Sequence, residues 1–124
     1  MVNVLLDTSV LLRWVAGQSL SDSAVGAIAD PENAVFVSAA TIWEISVKRS
    51  LGKLRVGNEV FDIDNDGFEG LAIDAADARL AGELPRHHRD PFDRMLVAQA
   101  LARGLVLVTS DRRLASYDAK MLFA

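Results

Sequence analysis

The chain has 124 residues, 51% of them hydrophobic and 24% charged, which excludes disorder and suits one domain that buries roughly two thirds of its unfolded surface. No apolar run approaches the roughly 18 residues of a membrane span, and Asp7 and Arg13 break the first apolar stretch, so a cytoplasmic protein without a signal peptide is expected. Thirteen basic against seventeen acidic residues give a net charge of −4, which argues against nucleic-acid binding by broad counterion release and leaves room only for a local site.

Residues 2–6 form a short run rich in Val and Leu, the pattern of a strand buried on both faces, and Asp7 ends it. A helix over Thr8–Val15 follows. A second helix over residues 21–29 is stopped by Asp30 and Pro31, and residues 34–37 form a second buried strand. Ser38 fits the N-cap of a helix running to about Ser50, with Gly52 just past its end. Residues 57–65 read as a short helix or a loop, and residues 67–73 as a third strand with a weak apolar pattern. Asp74 caps a helix reaching Glu83, residues 85–90 form a loop, and Asp90 and Pro91 open a helix that runs to Arg103 and is closed by Gly104. Residues 105–108 carry the clearest strand pattern, and residues 121–123 add a short final strand. Strands alternating with helices, with no tight hairpin signal, predict an α/β fold. It is a single domain over residues 1–124, a mostly parallel sheet with helices on both faces.

In such sheets ligands bind beyond the carboxyl ends of the strands. Asp7 directly follows the first strand, and Asp111 follows the strand at 105–109, so both carboxylates reach one edge. Each alone is as readily the cap of the helix behind it. Asp93 resists that reading, because at 100° per residue it projects among Phe92, Leu96, Val97, Ala100 and Leu101, in the middle of an apolar face. Its gain from the helix dipole is about 0.3 to 1 kcal/mol, against several kcal/mol lost by an unpaired, desolvated carboxylate. It needs a cation or a proton. Glu44 stays open on pattern alone: Lys48 four residues later makes an ordinary surface pair as good a reading as a place in the site.

Two carboxylates ~4 Å apart repel by roughly 4 kcal/mol at an effective dielectric of 20, so three or four together require neutralisation. The sequence has no cysteine and only two histidines, His87 and His88, so the available donors favour Mg²⁺ or Mn²⁺ over zinc. Such an ion suits hydrolysis of a phosphodiester.

The runs VLLDTSVLL at residues 4–12, SAATIWEISVK at 38–48, DPFDRMLVAQALARG at 90–104 and LVTSDRRL at 107–114 resemble the PIN-domain nucleases, and among them the VapC-type toxins. The resemblance covers nearly the whole chain, with four motifs in the family's order. It implies a Rossmann-like sheet, Mg²⁺- or Mn²⁺-dependent endonucleolytic cleavage of RNA, a homodimer, and inhibition by a cognate antitoxin protein. It also implies that Asp7, Glu44, Asp93 and Asp111 are the catalytic acids and hold the metal. Thr8, Ser9 and Thr109 then support those acids by hydrogen bonding. Asp90 lies outside the four and reads as a helix cap with reach toward the metal.

Asp62, Asp64, Asp66 and Gly67 start like a calcium-binding EF-hand loop, but Ile73 stands where its bidentate Glu belongs, which leaves an acidic turn. His87 and His88 read as exposed loop histidines rather than as a general base. Trp14 and Trp43 could stack on bases, yet their helical setting points to core packing or a dimer contact. Met95, Ala98 and Ala102, on the face of the 90–103 helix away from its core stripe, form the expected dimer surface. One rival reading is a phosphoacceptor receiver domain. It requires a second acid beside Asp7, an Asp after a central strand and a Lys after the last, where Thr8, Ser38 and Asp111 stand. The other is an inactive PIN fold acting as a binding module, against which all four acids speak.

Overall fold

A computed structural model describes residues 1–124, and its centre is the strand β1 (Val4–Leu6), every residue of which is buried. Successive side chains point to opposite faces, so Val4 and Leu6 enter one core and Leu5 the other. Around it lie β2 (Val35–Ser38), β3 (Glu69–Leu71), β4 (Val106–Thr109) and β5 (Met121–Phe123), in the spatial order β3-β2-β1-β4-β5. All pairings are parallel, with Leu5 opposite both Phe36 and Leu107.

The helices are α1 (Thr8–Val15), α2 (Asp22–Ala29), α3 (Ala39–Ser50), α4 (Ala75–Glu83) and α5 (Pro91–Arg103). Val10 and Leu11 of α1, Ala24 and Ile28 of α2 and Ile45 of α3 cover one face together with Val4, Leu6, Val37 and Val108. On the other face, Ala81 of α4 and Leu96, Val97, Ala98 and Ala100 of α5 cover Leu5 and Leu107. Each fully buried Leu or Ile contributes about 1.5–3 kcal/mol relative to exposure. No helix is long and apolar enough to cross a membrane.

The topology fixes where a site forms. From β1 the chain steps outward through β2 and β3, then returns to the far side of β1 for β4 and β5. The carboxyl ends of β1 and β4 therefore send their chains in opposite directions, and a crevice opens between them. Asp7 follows β1 and Asp111 follows β4, at that crevice.

The structure refines several expectations and corrects others. Strand β1 begins later than the apolar run does, because exposed Val2 donates its N–H to the Asn33 side chain (2.9 Å) rather than to the ladder. Residues 57–65 become two 3-10 helices (Asn58–Phe61 and Ile63–Asp66), and β3 is shorter than 67–73, since Gly67 at φ 77° closes the second of them. The apolar stripe of α5 is not the one its periodicity suggests: Leu101 is 37% exposed while Ala98 is fully buried. Helix α5 packs against α3 and α4 as well as the sheet, so more than one of its sides is covered. The expected dimer surface accordingly loses Ala98. Trp14 does pack inside, tilted against Phe68, whereas Trp43 is 62% exposed beside Phe92.

Candidate active site

Asp7 is held in place before any ligand arrives. As N-cap of α1 it accepts from the Val10 N–H (2.9 Å) and the Ser9 hydroxyl (3.3 Å) through Oδ1, while Thr109 of β4 donates to Oδ2. The capping role and a place at the strand edge coexist in this residue. Burial, outweighing these donors, raises its pKa above the usual carboxylate range. Glu44, on the inner face of α3, is buried. Its Oε1 accepts from the Thr8 hydroxyl (2.6 Å), and its Oε2 accepts from Lys48 Nζ (2.6 Å). Glu44 thus pairs with Lys48 from a buried position and also lines the crevice. The Thr8 hydroxyl spends its one hydrogen on Glu44, so fully buried Thr41, 3.1 Å away, donates to Thr8 and braces the site from behind, a contact the sequence reading does not single out.

Asp93 lies in the first turn of α5 behind the N-cap Asp90, whose Oδ1 accepts from the Phe92 and Asp93 N–H groups (2.9 and 3.4 Å). The nearest side-chain nitrogen recorded beside its carboxylate is His88 Nε2, 3.4 Å from Oδ2. Burial pushes its pKa up to about 7, the nearby Asp90 charge adds to the rise, and His88 opposes it. Asp111 goes the other way. Arg113 grips it with Nε and Nη2 (2.9 and 2.8 Å) and holds its carboxyl well below the usual range. Asp111 also caps the short 3-10 helix Arg112–Ser116.

His88 contradicts its reading as an exposed loop residue. Only 7% of its side chain is exposed, and Nε2 lies 3.1 Å from Asp111 Oδ2. The loop is drawn inward by Arg94, buried and without a carboxylate partner. Its guanidinium donates to the carbonyls of Ala81 (2.8 Å), Leu84 (2.9 Å), Pro85 (3.0 Å) and His88 (3.3 Å).

Asp7, Thr8, Ser9, Glu44, Lys48, Asp90, Asp93 and Asp111 line one cavity of about 230 Å³ with Leu12 as its one hydrophobic wall. The tightest convergence of possible ligand atoms is His88, Asp93 and Asp111, all within 4.8 Å of one another, with Asp7 and Glu44 outside that group. Two larger apolar clefts share exposed Trp43 and contain no acid. Of these three clefts only the polar one is lined by several carboxylates.

With an all-parallel sheet and acids gathered at its switch point, the comparison with known families is decided by one match: residues 4–120 align with the PIN domain. The chain belongs to the PIN domain family. Membership removes the receiver-domain reading. No curated protein matches this PIN domain in sequence. Solved structures match its fold over nearly their whole length. It is similar to VapBC2 from Rickettsia felis bound to a promoter DNA fragment, with TM-score 0.74, 16% identity, and coverage of 99% of this chain and 98% of the other. It is similar to DNA-bound VapBC from Salmonella typhimurium, with TM-score 0.68, 20% identity and the same coverage of 99% and 98%. VapBC-5 from Mycobacterium tuberculosis gives TM-score 0.64, 22% identity and coverage of 99% and 98%.

Proposed function

We propose that this PIN domain is a Mg²⁺- or Mn²⁺-dependent endoribonuclease and the toxin of a toxin–antitoxin pair. The observation that carries the proposal is Asp93: a carboxylate inside a cavity of acids, pushed up to about 7 by burial, without the donors that would settle its charge. A group in that state takes up a proton or a cation, and the acids sharing its cavity favour the cation. The donor set fits a hard divalent ion, since carboxylate oxygens of Asp7, Glu44, Asp93 and Asp111 face the same space. When bound, such an ion polarises a phosphate oxygen and lowers the pKa of a coordinated water, which is what phosphodiester hydrolysis requires.

The chain's own groups perform the rest. Thr8, Ser9 and Thr109 fix the Glu44 and Asp7 carboxylates so that they need little rearrangement. Lys48 lines the cavity, Arg113 holds Asp111, and Arg13 donates to the Ser110 hydroxyl (2.7 Å) beside it. This small set of cations at the mouth suits the phosphates flanking a scissile bond, as a chain of net charge −4 requires.

The toxin role is supported by the fold shared with proteins of VapBC complexes. It implies an antitoxin whose basic side chain fills the acidic cavity, since Arg can bond two carboxylate oxygens at once. It also implies a homodimer and action in the cytoplasm, where RNA is the substrate. The direct test is cleavage of total RNA by the purified protein with Mg²⁺ or Mn²⁺, with 5′ ends sequenced to locate the cuts. Cleavage that persists in excess EDTA contradicts the proposal.

A further inference from the structure

Helices α4 and α5 open with the same four-residue pattern, Asp74-Ala-Ala-Asp77 and Asp90-Pro-Phe-Asp93, yet they use it differently. In α4 the capping box closes: Asp74 Oδ1 accepts from the Asp77 N–H (2.8 Å), and Asp77 Oδ2 accepts from the Asp74 N–H (3.1 Å). In α5 half of the box is missing. Asp90 accepts from its helix, but its own N–H donates to His88 Nδ1 (3.0 Å) instead of to Asp93. His88 fills the acceptor position that Asp93 would take, and the Asp93 carboxylate is left to the cavity.

The same bond fixes what the other ring nitrogen can do. A ring that accepts at Nδ1 carries its hydrogen on Nε2. That atom faces Asp111 Oδ2 at 3.1 Å and Asp93 Oδ2 at 3.4 Å. A metal-ligating histidine usually donates from its second nitrogen to the protein, whereas this one accepts there. The loop is also braced: the His88 N–H donates to Tyr117 Oη (3.1 Å), and Tyr117 Oη donates to the Pro85 carbonyl (2.9 Å).

We propose that His88 is a positioning residue that keeps Asp93 out of its own capping box, presenting the Asp93 and Asp111 carboxylates to the cation without binding the cation itself. This rests on the metal-dependent reading above. Without His88, Asp93 has a backbone N–H to accept from within its own first turn, as Asp77 does, and that local bond competes with the cation for the same oxygen.

The experiment is a Mn²⁺ titration, by calorimetry, of wild type, His88→Ala and His88→Asn, with amide hydrogen exchange followed at Asp90. His88→Ala should weaken Mn²⁺ binding by about tenfold or more, while the Asp90 amide stays protected because Asp93 now accepts from it. His88→Asn should recover most of the affinity, since its Oδ1 can accept the Asp90 N–H in an Asx turn. Equal affinity of His88→Ala and wild type overturns the proposal, as does an Asn variant no better than Ala or an Asp90 amide that loses protection in His88→Ala. Wild type that binds no Mn²⁺ sinks the metal-dependent reading and this one with it, whereas normal wild-type binding with an indifferent His88→Ala sinks this one alone. Should the Ala variant fail to fold, ¹⁵N NMR of the wild-type ring decides. Hydrogen on Nε2 with and without Mg²⁺ supports the proposal, and a bare, metal-coordinated Nε2 refutes it.

Discussion

Asp77 and Asp93 occupy the same position, third after the N-cap, in successive helices, the first with 2% and the second with 19% of its side chain exposed, yet their electrostatics are opposite. Asp77 accepts from Arg103 Nη1 and Nη2 (2.7 and 2.8 Å), from Gln99 (3.3 Å) and from the Asp74 N–H (3.1 Å). Arg103 is the main reason its pKa falls to about 2. Asp93 has His88 at 3.4 Å and acids around it, and its pKa rises to about 7 through burial first. Burial of an acid is therefore not what marks a site. What sets Asp93 apart is burial without matching donors, because such a carboxylate is satisfied only by a proton or a cation that binds.

The largest expected effect separates the two acids by activity. Asp93→Asn should reduce RNA cleavage to background, while Asp77→Asn, assayed at equal concentrations of folded protein, should still cut. Equal loss in both would erase the distinction. The stability contrast runs the other way. Arg103→Ala leaves Asp77 buried without its cation and should lower the unfolding free energy by about 3 kcal/mol in urea titrations, with the response to Mn²⁺ unchanged.

Acid and base limbs sharpen the same comparison. Asp93 is raised from 3.8 to about 7, so between those values the folded metal-free state holds a proton that the unfolded chain has lost. Stability must fall as pH rises through that window, and the loss is complete above 7. Asp77 is lowered from 3.8 to about 2, so its contribution is present above pH 3.8 and disappears as pH falls toward 2. Urea midpoints measured across pH should therefore show two limbs. Asp93→Asn should flatten the upper one and Arg103→Ala the lower one; a variant that flattens the opposite limb contradicts the assignment. The smallest effect belongs to Arg113, 75% exposed. Arg113→Ala should leave the metal-free Tm essentially unchanged and tighten Mn²⁺ binding, because the Asp111 oxygens lose a competitor.

Much of this was legible in the sequence. The alternation of short Val- and Leu-rich runs with capped helices gave the parallel sheet, and a parallel sheet brings Asp7 and Asp111 to one edge whatever the details. Asp93 stood out because an acid in an apolar stripe has no cheap structural use. Glu44 was undecidable, since the i,i+4 pairing with Lys48 and the contact with Thr8 use different oxygens of one carboxylate. His88 reads wrongly as exposed because loop residues carry no periodicity that reports burial. Its signal is its position, two residues before an N-cap whose N–H needs an acceptor. Ala98 and Leu101 were assigned to the wrong sides of α5, as a single apolar stripe cannot describe a helix covered by the sheet, α3 and α4 together.

The central claim is that these acids form a cation site with Asp93 at its heart, and paired melting curves test it most directly. Above pH 7, where Asp93 is charged, metal-free Asp93→Asn should melt at or above metal-free wild type, because a repelled charge has been removed while volume is nearly kept. Wild type should then gain about 2.7 kcal/mol at a hundredfold excess of Mn²⁺ over Kd, and the variant far less. If Asp93→Asn melts well below metal-free wild type and still responds fully to Mn²⁺, Asp93 is a structural cap like Asp77, and the cation site lies elsewhere.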